Sequence, residues 1–71
     1  MLTKYSHPDG GTYVIASTDP VQMKCDDGRW EPAVIYRRVE RGPTGHWQYE
    51  GKNHFVTTVT LWNELFTAIE E

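Results

Sequence analysis

The sequence predicts an α+β domain that is mostly β: about five short strands followed by a C-terminal helix over about residues 61–70. Three observations carry this. Val21, Met23 and Cys25 alternate with Gln22 and Lys24, then Asp26-Asp27-Gly28 supplies a turn, and a second run follows from Trp30 to Arg38; that is the pattern of a β-hairpin. Other runs rich in β-branched and aromatic residues are equally short and bounded by Gly, Pro, Asn and Asp. From Leu61 the period changes, with Leu61, Trp62, Leu65, Phe66 and Ile69 forming one stripe at helical spacing.

Taken in order, residues 5–12 (Tyr-Ser-His-Pro-Asp-Gly-Gly-Thr) read as a tight reversal, because Pro8 lacks a donor and Gly10-Gly11 accept positive φ. Tyr13–Ser17 is the first predicted strand, broken by Thr18-Asp19-Pro20. In the hairpin's return strand, Trp30, Pro32, Val34 and Tyr36 share one face and Glu31, Ala33, Ile35 and Arg37 the other. Apolar residues on both faces mark this strand as central, while Pro32 marks a bulge or an edge position. Arg41–Gly45 is a loop, His46–Tyr49 a strand, Glu50–Asn53 a turn and His54–Thr58 a strand. Thr60 is the expected N-cap of the helix, its hydroxyl accepting from the backbone of Asn63. Such a set of elements suits a small curled antiparallel sheet or an SH3-like barrel, as a single domain over residues 1–71.

With 71 residues, the chain can build only a small core. Its 13% aromatic content compensates, since each such side chain buries a large area. A net charge of −3 argues against a general nucleic-acid binder. The charge is uneven: Arg37, Arg38 and Arg41 cluster, whereas Asp26-Asp27 and Glu70-Glu71 are acidic. The single cysteine, Cys25, excludes an internal disulfide and fits a reducing compartment. No apolar stretch approaches a membrane span, and the N-terminal residues lack the apolar run of a signal peptide, so the expected location is cytoplasmic.

Chemical motifs are sparse. His7, His46, His54, Cys25 and Asp9 are metal-ligand types, but only His7 and Asp9 are closely spaced, so no metal and no other cofactor is expected. Cys25 falls on the apolar side of its strand and reads as a small core residue rather than a nucleophile. No catalytic residues are assigned, and the protein is not expected to be an enzyme. Most aromatics are assigned to the core. Trp47 and Tyr49 are the exceptions, flanked by His46, Gln48 and Glu50 near glycine-rich loops. Arg37, Arg38, Arg41, Trp47 and Tyr49 form the expected binding site, because arginine and large aromatics concentrate at interfaces.

His7 to Ile15, then Ala33 to Arg37, then a late aromatic strand leading to Phe66 resemble a family of small bacterial and phage domains of unknown function. Their pattern is an opening His-x-x-Gly-x-x-Tyr, a central Val-x-Tyr-Arg strand and a closing phenylalanine. Here the segment around Gly42–Gly51 is longer and the terminal helix better developed. The resemblance implies a β-rich fold and a bacterial or phage origin, without an established chemistry. More narrowly, Asp26 to Ile35 is similar to the first hairpin of Tudor-like domains, in which aromatic residues cage methylated side chains.

These readings converge on a small non-enzymatic accessory protein that binds another protein, phage- or prophage-encoded and acting on a host protein. The alternative is a nucleic-acid-binding SH3-like or Tudor-like module using the same aromatics and arginines. Self-association into a homodimer through an exposed strand edge or the helix stripe is a third route, and no membrane partner is expected.

Overall fold

The computed structural model describes residues 3–17 and 19–69. Its elements are β1 (Lys4–Ser6), β2 (Thr12–Ile15), β3 (Val21–Lys24), β4 (Trp30–Arg41), β5 (Trp47–Tyr49), β6 (Phe55–Thr58), α1 (Val59–Leu65) and β7 (Thr67–Ala68). Thr18 and the acidic pair Glu70-Glu71 lie outside the described residues.

The fold is organised around β4. Its Ala33 pairs with both Val21 of β3 and Thr58 of β6, Tyr36 with both Ile15 of β2 and Phe55 of β6, and Val39 with both Thr12 of β2 and Tyr49 of β5. A strand has two edges, so β2 and β3 share one edge of β4, and β5 and β6 share the other. All four run antiparallel to β4. Each pair therefore runs end to end along its edge, with a bulge in the residues that directly follow β2 and in those that follow β5. On the first edge, Ala16 and Ser17 both donate to the Ile35 carbonyl (2.8 and 3.3 Å). On the second, Glu50 donates to the Arg38 carbonyl (2.9 Å), and Gly51 has a positive φ of 65°. Extra residues of this kind bend a strand and raise its twist. The 50–53 segment, expected as a turn, thus carries the chain onward instead of reversing it. β1 adds to the outer edge of β2 and β7 to that of β1, giving one open antiparallel sheet of seven strands that does not close into a barrel.

Three reversals use one design. In His7–Gly11, Cys25–Arg29 and Gly42–His46 the fourth residue donates to the carbonyl of the first, and a second bond closes the first residue onto the fifth. The fourth residue is a glycine each time, with φ of 87° at Gly10, 87° at Gly28 and 86° at Gly45. This is the three-residue hairpin loop whose last position requires a left-handed backbone. Pro8, Asp26 and Pro43 precede it where fixed or helical φ is favoured.

Direct cross-strand partners lie on the same face. Tyr5, Tyr13, Ile15, Val34, Tyr36, Arg38 and Phe55 occupy one face, and α1 returns across it. Lys4, Val14, Ala33, Ile35, Arg37, Val39, Arg41, Trp47, Tyr49 and Val56 occupy the other. The aromatic cluster forms on the first, where Tyr13, Trp62 and Phe66 are buried with Tyr5, Ile15, Val34, Tyr36 and Leu65 against them, while Val14, Ala33 and Val39 are buried on the other. Trp62 and Phe66 stack at 3.8 Å between centroids, and the Tyr13 and Tyr36 rings meet Phe66 at 5.4 and 5.1 Å.

Several expectations change. The strands number seven, because β1 and β7 are too short to show a period. The helix ends at Leu65, with Thr58 rather than Thr60 as N-cap: the Thr58 hydroxyl accepts from Leu61 N at 3.2 Å. Phe66 is extended (φ −103°, ψ 135°), so it and Ile69 leave the helix, and Ile69 N donates to Lys4 O. Leu61, assigned to the buried stripe, is exposed. Cys25 lies just beyond β3 and is only half-buried, and Trp30, expected in the core, is 63% exposed. Both sit beyond the reach of α1, where no element covers the sheet.

Candidate functional site

Four of the five expected site residues meet on the face opposite the helix. Alternation along β4 places Arg37, Val39 and Arg41 there, and the register sets Tyr49 across from Val39 and Trp47 across from Arg41. The Arg37 guanidinium lies 3.8 Å from the Tyr49 ring centroid, and that of Arg41 lies 4.9 Å from Trp47. Lys4 Nζ approaches the same Trp47 ring at 5.3 Å. Each stacked pair stabilises this arrangement by about 0.5–1 kcal/mol where solvent reaches it.

Carbonyl oxygens fix both guanidinium groups. Arg37 Nη2 donates to Gly51 O (3.0 Å), which ties the second bulge to β4, and Arg41 Nη1 donates to Gly45 O (2.9 Å) in the β4–β5 turn. Neither forms an ion pair among the described residues. Arg37 Nε is buried and has no acceptor among the described residues, a cost set against the Tyr49 stack and the Gly51 bond. Arg38 is separated from this group. It points to the helix side, pairs with Glu50 Oε2 at 3.0 Å, and lies 5.8 Å from the Tyr13 ring. Its charge is neutralised locally.

The other face carries a polar network at its rim. Asp9, in the first turn, accepts from Gly11 N through Oδ1 (2.7 Å) and from the Tyr13 hydroxyl through Oδ2 (2.7 Å). The Tyr13 bond, followed by that from Gly11, holds the carboxyl below the ordinary carboxylate range. Burial first, and the Asp9 bond second, push the Tyr13 phenol up. His7 Nδ1 accepts from Asp9 N at 3.0 Å and lies 3.2 Å from Asp9 Oδ1. His7 also packs on Phe66 at 4.7 Å. His7 and Asp9 are ligand types in the sequence, and their spacing from Tyr13 around one turn is the signal of this network.

Among the described residues, no three His, Cys, Asp or Glu side chains come together as a metal site. The Cys25 thiol donates to Glu31 Oε2 at 2.9 Å, and this bond, with burial, pushes the thiol up. An activated cysteine has the opposite shift.

Comparisons of this chain with family models, with curated proteins and with solved structures find no match. Function is therefore argued from geometry.

Proposed function

We propose that this domain is a non-enzymatic binding module that docks an acidic surface of a partner protein on the β4–β5 face. The observation that carries the reading is the pair of stacks, Arg37 on Tyr49 and Arg41 on Trp47, whose guanidinium charges meet only carbonyl oxygens. Stacking pre-organises an arginine, so little side-chain freedom is lost when a carboxylate arrives. Val56, 52% exposed on the same face across from Ile35, adds apolar area beside the charges. Aromatic, arginine and apolar side chains together are the composition of interface hot spots. A nucleic-acid reading draws less support: bases stack on open rings, and here each ring already holds a guanidinium on one side.

The test is affinity capture from bacterial lysate, nuclease-treated and untreated, with wild type and Arg41→Ala/Trp47→Ala. The expected result is a protein retained by wild type after nuclease treatment, released as salt rises and lost from the double variant. Capture abolished by nuclease, or identical capture by both proteins, overturns the reading.

A further inference from the structure

We propose a second binding site on the opposite, helix-covered face: a pocket for an alkylammonium group, formed by His7, Asp9, Tyr13, Tyr36, Phe55 and Phe66. These residues line a cavity of about 150 Å³, room for about five water-sized groups. They come from four stretches of the chain, the first turn and β2 forming one. The first turn supplies His7 and Asp9, β2 supplies Tyr13, β4 and β6 supply the directly paired Tyr36 and Phe55, and Phe66 arrives from the end of α1.

The lining selects the ligand. Its walls are aromatic, and ring faces carry negative potential that attracts cations. Its carboxylate, Asp9, is pinned by Gly11 N and the Tyr13 hydroxyl and lies 3.2 Å from His7 Nδ1 through Oδ1, with a lone pair to spare on Oδ2. An anion meets that carboxylate unfavourably, and a neutral apolar group leaves it unused. A compact organic cation satisfies both wall and charge. Arg38 does not fill the place, since it lies over Tyr13 but is paired with Glu50 and does not line the cavity, and His7 stands in the wall, packed on Phe66. Phe55 is a further pointer, being 41% exposed although it packs on Tyr36 at 5.5 Å. The pocket stands on different residues and a different face from the arginine stacks, so either site can fail without the other.

The test is an amide NMR titration of the full chain with choline, with its neutral isostere 3,3-dimethylbutan-1-ol, and with N-acetyl-lysine methylamide. Choline should give saturable shifts at Gly11, Tyr13, Phe55 and Phe66, and the isostere should bind about tenfold more weakly. Tighter binding of choline identifies a free small amine as the natural class, and tighter binding of the lysine derivative identifies a protein side chain. Asp9→Asn should weaken binding about tenfold. Phe55→Ala, checked for a native amide spectrum, should weaken it also. Absence of saturable shifts with either cation, equal affinity for the isostere, or unchanged binding by both variants overturns the proposal.

Discussion

Asp9 shows how one short turn links sequence, stability and site. Its carboxylate organises the reversal through Gly11 N and reaches the edge of the core through the Tyr13 hydroxyl. Because its folded pKa is depressed, it contributes stability above the ordinary carboxylate range, and that contribution is lost as pH falls through the folded value. The largest cause is a single bond, so Tyr13→Phe should raise the Asp9 pKa toward its ordinary value while leaving the Gly11 contribution in place. Carboxyl-carbon NMR across about pH 2–6 would measure this. An Asp9 midpoint that does not move in the variant would rule out the Tyr13 bond as its principal cause. Cys25 carries the opposite sign: its raised pKa stabilises the fold below the ordinary thiol value, and the contribution fades as pH rises through the folded one.

At the scale of elements, legibility tracked the length of the repeating signal. β3 and β4 were readable because their alternation spans many residues around an Asp-Asp-Gly turn, and β5 and β6 because Trp47–Tyr49 and Phe55–Thr58 are bounded by glycine and asparagine. β1 and β7 have three and two residues, too few for a period, and exist through tertiary pairing. The helix end was misplaced because Phe66 keeps the apolar stripe after the backbone has turned extended. The site was half legible. Arg37, Arg41, Trp47 and Tyr49 do gather, but a sequence pattern places Arg38 beside Arg37, whereas alternation sends it through to the other face. The aromatic pocket was not legible, since its members meet only once four separate segments have packed. The N-cap offers a direct check: Thr58→Ala should cost about 1 kcal/mol in chemical denaturation, because Leu61 N loses its partner. Thr60→Ala, one residue inside the helix, should cost a few tenths at most. Equal losses would return the cap to Thr60.

The whole molecule is longer than its chain length implies. Its radius of gyration is 13.1 Å, with extents of 45 × 23 × 22 Å, against about 11 Å for a compact domain of this size. β4 sets that long axis, since twelve extended residues span about 40 Å. The core does not follow it along its full length. Trp62, Phe66 and Tyr13 cluster over the middle of β4, whereas Trp30–Pro32 pair only with β3. That end is a two-stranded ribbon with Trp30 in solvent, and isolated ribbons are marginally stable. Opening should therefore be local there and global at the centre. Native-state hydrogen exchange is expected to be at least about tenfold faster for the amides of Val21–Lys24 and Trp30–Glu31 than for Val34–Val39. Uniform protection along β4 would mean that the sheet opens only as a unit and that the distal hairpin draws support from the core. The difference also bears on the two proposed sites, because both lie away from that end: Tyr36 and Val39 are paired on both edges of β4, and Arg41, paired only with β5, is at the opposite tip. The stacks span Arg37–Arg41 and the pocket closes over Tyr36, so both should persist when the distal ribbon frays.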